Sequence, residues 1–145
     1  QERIEWKSEY RNQEIVSDVF NHIDALVVPS IWVENSPLVI HETLQVQLPV
    51  ITANVGGMAE YVHHGVNGLL FQHRNHVFLA EQMKKLALNP TYAKELGARG
   101  YLQSQNKEIF SINQHVKDIE KIYINLLTKK GIKTYAKTRT MADYV

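Results

Sequence analysis

No cysteine occurs among the 145 residues, which removes disulfide staples and thiolate-bound zinc and fits a reducing, cytoplasmic compartment. Long apolar runs are missing as well: none approaches the roughly 20 residues that a membrane-spanning helix needs. Net charge is small, +1 overall, and basic and aromatic residues do not interleave into a stripe, so no nucleic-acid partner is indicated. Neither a Ser-His-Asp arrangement nor a G-x-S-x-G elbow is visible, which leaves hydrolase triads without support. Internal repeats and low-complexity segments are absent too. The opening Gln1-Glu2-Arg3-Ile4 carries no initiating Met and no signal-peptide pattern, and the chain is expected to be a piece of a longer one.

What is present begins with apolar content. At 44% hydrophobic, this length suffices for one domain with a real core. Charge is unevenly spread: Lys129, Lys130, Lys133, Lys137 and Arg139 against Asp143 give residues 129–145 a charge of +4 and leave −3 on residues 1–128. The boundary is therefore placed there, with a domain over 1–128 and a basic tail over 129–145. The tail reads as a solvated end, with peripheral contact to an acidic membrane surface as its functional counterpart.

Along the domain, Arg3-Ile4-Glu5-Trp6 alternates weakly and reads as a short strand. Ile15, Val16, Val19, Phe20 and Ile23 recur at helical spacing across residues 12–23. Ala25-Leu26-Val27-Val28-Pro29 is an apolar run without alternation, as expected of a strand buried on both faces. A helix is expected from Pro37 to about Gln47, a second buried strand at Leu48-Pro49-Val50-Ile51-Thr52, and a short helix at residues 58–62 after Gly56-Gly57. Gly65 and Gly68 bracket a turn into a strand at Leu69-Leu70-Phe71. Leu79, Met83 and Leu86 mark another helix, Pro90 starts the next, and Ile112, Val116, Ile119, Tyr123 and Leu126 mark a final one over 111–128. Solid apolar strands alternating with helices predict an α/β fold with a parallel sheet.

Ligands of such sheets bind beyond the carboxyl ends of strands. Two loops fall on that edge, one carrying Glu34 after strand 25–29 and one carrying Gly56-Gly57 after strand 48–52. Pro37 suits a first helical turn and Ser36 an N-cap, so Glu34 precedes the helix and Glu42 sits on its second turn. Between them the amides of Ser36, Leu38 and Val39 face outward at the positive end of the helix dipole, where phosphate binds. Pro37 itself cannot donate. The flanking carboxylates can accept from the vicinal hydroxyls of a sugar. Phosphate plus polyol suggests a sugar nucleotide. Gly56 and Gly57 would allow a sharp turn or a close approach of backbone to a ligand, whereas Glu60 reads equally as a capping-box partner. His63-His64, His73 and His76 are not at zinc-motif spacing and read as surface residues, so no metal ligand is assigned. His41 lies beside Glu42, near this site.

Val28-Pro29-Ser30, Glu34-Asn35-Ser36-Pro37, Glu42, Pro49-Val50-Ile51, Gly56-Gly57-Met58-Ala59-Glu60 and Gly65-Val66-Asn67-Gly68-Leu69-Leu70 follow in one order. The series resembles the C-terminal, donor-binding domain of retaining glycosyltransferases of the GT-B fold, family four, from about Ile4 to Leu88. The resemblance implies a partial doubly wound, Rossmann-like sheet, with Glu34 contacting the transferred sugar and Glu42 holding the ribose hydroxyls. It implies a nucleoside diphosphate sugar as substrate, with no required metal or other cofactor. The reaction would move a hexose to a hydroxyl of a glycan with retention. The Asn-Ser-Pro version resembles a bacterial polysaccharide-synthesis subgroup. A non-catalytic binding or assembly module using the amphipathic last helix is the alternative, and a nucleotide-sugar epimerase a further one.

The chain departs from the family by entering midway through its domain. Two strand–helix units, with an Arg and a Lys that touch the donor diphosphate, have no counterpart, nor does the N-terminal domain that binds the acceptor. Ser8 stands where relatives tend to have glycine. The segment alone is therefore expected to be inactive. In the order 3-2-1-4-5-6 the four strands read here would be numbers 3 to 6, leaving number 4 an open edge. Either a three-stranded core with a displaced N-terminus or a dimer covering that edge is expected.

Overall fold

A computed structural model describes residues 4–103, 109 and 111–131. Most of the basic tail, from residue 132 onward, lies outside the described residues, as does Arg3. The chain falls into two compact units, residues 1–109 and residues 110–145.

The first unit is a three-stranded sheet in the order β1-β2-β3, comprising β1 (Leu26–Val28), β2 (Val50–Ala53) and β3 (Gly68–Phe71). All pairings are parallel, with Leu26 opposite Val50, Val50 opposite Gly68, and Ala53 opposite Phe71. These strands form where apolar residues run without interruption, and the central one is buried along its whole length. Thr52, its one polar member, donates its hydroxyl to the Val28 carbonyl at 3.2 Å, so its burial leaves no orphaned group.

The fourth expected strand does not form. Ile4–Trp6 has no regular structure, and Trp6 is 90% exposed. The sheet is a three-stranded core from which the N-terminal segment is displaced, and among the described residues β1 pairs on one side only. The continuous helix expected over residues 12–23 is also corrected. It breaks into a 3-10 turn (Asn12–Glu14), a single α-turn α1 (Ile15–Asp18) and a second 3-10 turn (Phe20–His22). The Ser17 hydroxyl lies 3.0 Å from the Glu14 carbonyl and 2.7 Å from Asp18 Oδ1, and its one proton can go to either acceptor. Such local bonds compete with the helical ladder, and Val16 and Val19 add β-branched crowding. Only Ile15 and Phe20 of that stretch are buried.

Helix α2 (Leu38–Gln45) packs on β1 and β2 through Ile40 and Leu44, both fully buried. Each such aliphatic side chain contributes about 1.5–3 kcal/mol. The helix stops before Gln47, whose φ of +61° is left-handed. Helix α3 (Met58–Tyr61) follows the glycine pair and packs on β2. Helix α4 (His76–Ala87) lies on β2 and β3 and against α5 (Pro90–Arg99). Asn75 and Asn89 cap these two helices, accepting from the amides of Phe78 and Tyr92. Asn67, also fully buried, accepts from the His63 amide and donates to the carbonyls of Tyr61 and Gly100. It ties the turn before β3 to the end of α5.

The second unit holds α6 (Ile112–Lys129), capped by the Ser111 hydroxyl on the Gln114 amide. Its apolar residues, among them Ile112, Ile122 and Tyr123, are exposed. No helix among the described residues is long and apolar enough to cross a membrane.

Candidate functional site

All three strands release their chains at one end of the sheet, and the loops after β1 and β2 meet there. The Gly57 amide donates to the Glu34 carbonyl at 2.8 Å. Gly56 turns the chain with a φ of +56°, a conformation glycine adopts freely. A Cβ on Gly57 would lie 1.2 Å from the Asn35 carbonyl oxygen, and one on Gly56 2.7 Å from that of Glu34. The close approach that the glycine pair permits is therefore to the Glu34–Asn35 main chain. A further link joins the loop after β3 to the loop after β1, where the His73 ring Nε2 reaches the Ile31 carbonyl at 3.1 Å.

The N-terminus of α2 differs in detail from the expected cap. Pro37, with ψ of 118°, occupies the N-cap position itself, and no side chain caps the helix. Ser36 is not the cap because its hydroxyl is hydrogen-bonded to Nε2 of His41. The Ile40 amide bonds back to the Pro37 carbonyl at 3.0 Å. The amides of Leu38 and Val39 stand in the first turn, where no intrahelical acceptor exists. Ser36 and Leu38 are exposed, and Val39 is partly so.

Glu34 and Glu42 flank this tip, both half-buried. Among the described residues, neither carboxylate has a hydrogen-bond or ion-pair partner. Two anionic groups with free acceptor oxygens beside unsatisfied amides form a mixed surface, able to take an anion at the tip and hydroxyls at its sides. Glu60 completes no capping box, since α3 has no side-chain cap, and its main-chain carbonyl accepts from Gln103 Nε2. Among the described residues, no three His, Asp or Glu side chains gather in a group that would hold a metal.

Tyr61 and Tyr101 are parts of this region that sequence reasoning did not single out. The His41 and Tyr61 rings meet edge-on at 4.2 Å between centroids, His41 and Tyr101 lie 5.7 Å apart, and the two tyrosines stack at 6.1 Å. Burial lowers the His41 pKa below its ordinary value, against the opposing pull of the Glu42 charge. Burial and the nearby Tyr61 raise that of Tyr101. The position of His41 next to Glu42 was the only signal in the chain. Two cavities lie apart from the carboxylates. One of about 500 Å3 is lined by Asn54, His64, Leu70, Phe71, His73 and Phe78. The other, about 530 Å3, is walled by residues that include Ile23, Val27, Ile51, Met83 and Leu86.

Comparison with known proteins bears on this geometry. The family described as glycosyl transferases group 1 matches residues 2–103. An uncharacterized glycosyltransferase of Methanocaldococcus jannaschii is 37% identical over 101 residues, which cover 70% of this chain and 28% of that protein. The D-inositol 3-phosphate glycosyltransferase of Rhodococcus erythropolis is 34% identical over 93 residues, 64% of this chain and 21% of that protein. The chain thus spans less than a third of the length of either relative. Among solved structures, sucrose-phosphate synthase from Thermosynechococcus elongatus superposes with a TM-score of 0.68 at 26% identity, over 80% of this chain and 28% of that one. The Anabaena protein HepE, solved in complex with UDP and glucose, gives a TM-score of 0.60 at 26% identity, over 68% and 27% respectively. The fold is that of part of a GT-B glycosyltransferase domain.

Proposed function

The chain belongs to the glycosyl transferases group 1 family, and from that premise we propose that its carboxyl-end loops are the donor-binding edge of a retaining glycosyltransferase. The full enzyme moves a hexose from a nucleoside diphosphate sugar to a glycan hydroxyl, in polysaccharide or glycoconjugate synthesis. One observation carries this reading: two carboxylates with no hydrogen-bond or ion-pair partner among the described residues bracket the open first turn of α2. HepE, of similar fold, was solved with UDP and glucose, ligands of the chemistry this tip suits.

In this assignment Glu42 accepts from the ribose hydroxyls and Glu34 from the transferred sugar, as positioning groups rather than bases. The amides of Leu38 and Val39, with that of Ser36, receive the diphosphate. Stabilising that leaving group at the helix tip lowers the barrier without a metal ion. Gly56 and Gly57 act one step back, by seating the Glu34 loop. The acceptor is supplied by a region outside this segment, so the segment alone transfers nothing. The exposed apolar stripe of α6 favours a second reading, an assembly module in which the fold is kept and the chemistry lost.

Titrating UDP into the isotope-labelled chain, followed by amide chemical shifts, tests the reading. The amides of Leu38 and Val39 should move. Glu42→Ala should weaken binding by about 10- to 100-fold, the range for a hydrogen bond to a charged group, with an unchanged circular-dichroism spectrum. Equal affinity of the variant and the wild type would end the ribose assignment.

A further inference from the structure

We propose that His41 is a positioning residue of the donor edge, whose Nε2–H donates to Ser36 Oγ and so turns the single Ser36 hydroxyl proton toward an oxygen of the bound diphosphate. The inference rests on the donor-site reading above and adds to it a side-chain donor and the group that aims it.

The tip of α2 has a gap in its donors. Pro37 sits between Ser36 and Leu38 and carries no N–H, so the run of amides facing a phosphate is interrupted at the N-cap. Ser36 immediately precedes that gap and is exposed. A serine hydroxyl has one proton and two lone pairs, and its bond to His41 Nε2 admits two arrangements. If Nε2 is bare, it takes the only proton, and Ser36 shows the anion lone pairs alone. If Nε2 carries a hydrogen, it donates, and the Ser36 proton is left for the ligand. Only the second arrangement suits a phosphate.

The surroundings of His41 fix the ring for this task. Tyr61 from α3 meets it edge-on, and Tyr101, just beyond α5, lies tilted against it. Tyr61 and Tyr101 lie against the ring, and the Glu42 charge acts on it. Burial favours the neutral imidazole over the cation, so the ring holds one proton, and its placement on Nε2 is the substance of the claim. His41 touches no ligand itself. It acts through Ser36.

Long-range proton–nitrogen correlation spectra of the labelled chain report the tautomer directly, and near neutral pH the Nε2–H form is expected. In UDP titrations, Ser36→Ala and His41→Leu should each weaken binding by about tenfold or more, the low end for a hydrogen bond to a charged group. The double variant should bind no more weakly than either single one, since the two residues act as a unit. His41→Gln, which keeps an N–H donor, should recover most of the affinity. Ser36 is exposed, so its substitution tests the claim even where His41→Leu disturbs folding. An Nδ1–H ring, an unaffected Ser36→Ala, or a His41→Gln as weak as His41→Leu would overturn this inference while Glu42→Ala still upholds the donor site. A full enzyme that bound neither UDP nor GDP would retire the donor reading and this inference together.

Discussion

At the carboxyl end of the sheet the loops are knitted by main-chain and polar contacts, Gly57 N–H to Glu34 and His73 to Ile31, and Glu34, Ser36 and Glu42 are left facing outward. At the amino end a cavity of about 530 Å3 is walled mostly by apolar residues, among them Ile23, Val27, Met83 and Leu86, with Asp24, Gln47 and Lys94 also on its wall. Both ends nevertheless rely on the same steric device, a glycine where two main chains cross. Gly57 faces the Asn35 carbonyl, and Gly97 of α5 faces the Gln47 carbonyl, where a Cβ would come within 2.2 Å. Close packing of backbone therefore does not distinguish a binding edge from a supporting one. What distinguishes them is what stands beside the crossing: mostly apolar side chains at the amino end, two carboxylates and an open helix tip at the carboxyl end.

The largest expected effect comes from breaking the crossing at the carboxyl end. Gly57→Ala places a methyl group inside the position of the Asn35 carbonyl and should cost about 3 kcal/mol or more, at or beyond the upper range of overpacking, read from urea unfolding. Gly97→Ala should cost somewhat less. In conditions where both variants remain folded, UDP affinity should fall only for Gly57→Ala, because only that glycine seats Glu34. If Gly97→Ala lost UDP to the same degree, the two ends would not be functionally separate.

Leu86→Ala sharpens the other side. Leu86 is buried beside the amino-end cavity, and truncation should cost about 2–4 kcal/mol by enlarging a void that is already present. UDP binding should be unchanged. A shift in UDP affinity would mean that the apolar end is coupled to the donor edge through β2.

How far the chain could be read from sequence follows from the same contrast. The runs 25–29, 48–52 and 69–71 gave three strands displaced by no more than a residue or two, because a strand buried on both faces shows as uninterrupted apolar sequence. The helix after Pro37 and the turn at Gly56-Gly57 were legible from local chemistry. Ile4–Trp6 was not: its weak alternation needs a neighbouring strand, and the described residues form none beside it. Residues 12–23 have helical spacing, but Ser17 and Asp18 supply competing bonds that spacing does not reveal. At the site, Glu34 and Glu42 could be paired from sequence because they belong to one loop and one helix. The Gly57–Asn35 crossing and the His41–Tyr61–Tyr101 cluster join residues up to 60 apart in the chain, and only the folded sheet brings them together.

The smallest effect expected is a pH dependence that the cluster imposes on stability. His41 has a pKa near 6.5 when unfolded and a lower one when folded, chiefly because Tyr61, Tyr101 and the body of the domain withdraw it from water. As pH falls through 6.5, the unfolded chain takes up a proton that the folded one refuses, and stability drops. Below the folded pKa both states are charged and this contribution to the slope ends. His41→Gln removes it, so the difference between the wild-type and variant stability curves isolates the share of His41 from that of the other six histidines. The difference should rise with pH across that window. Saturating UDP should flatten it, since a bound diphosphate beside the ring favours the imidazolium and offsets the burial. A difference curve that stays level without UDP would show that the ring is not desolvated, and the tyrosine pair would lose its part in holding Ser36.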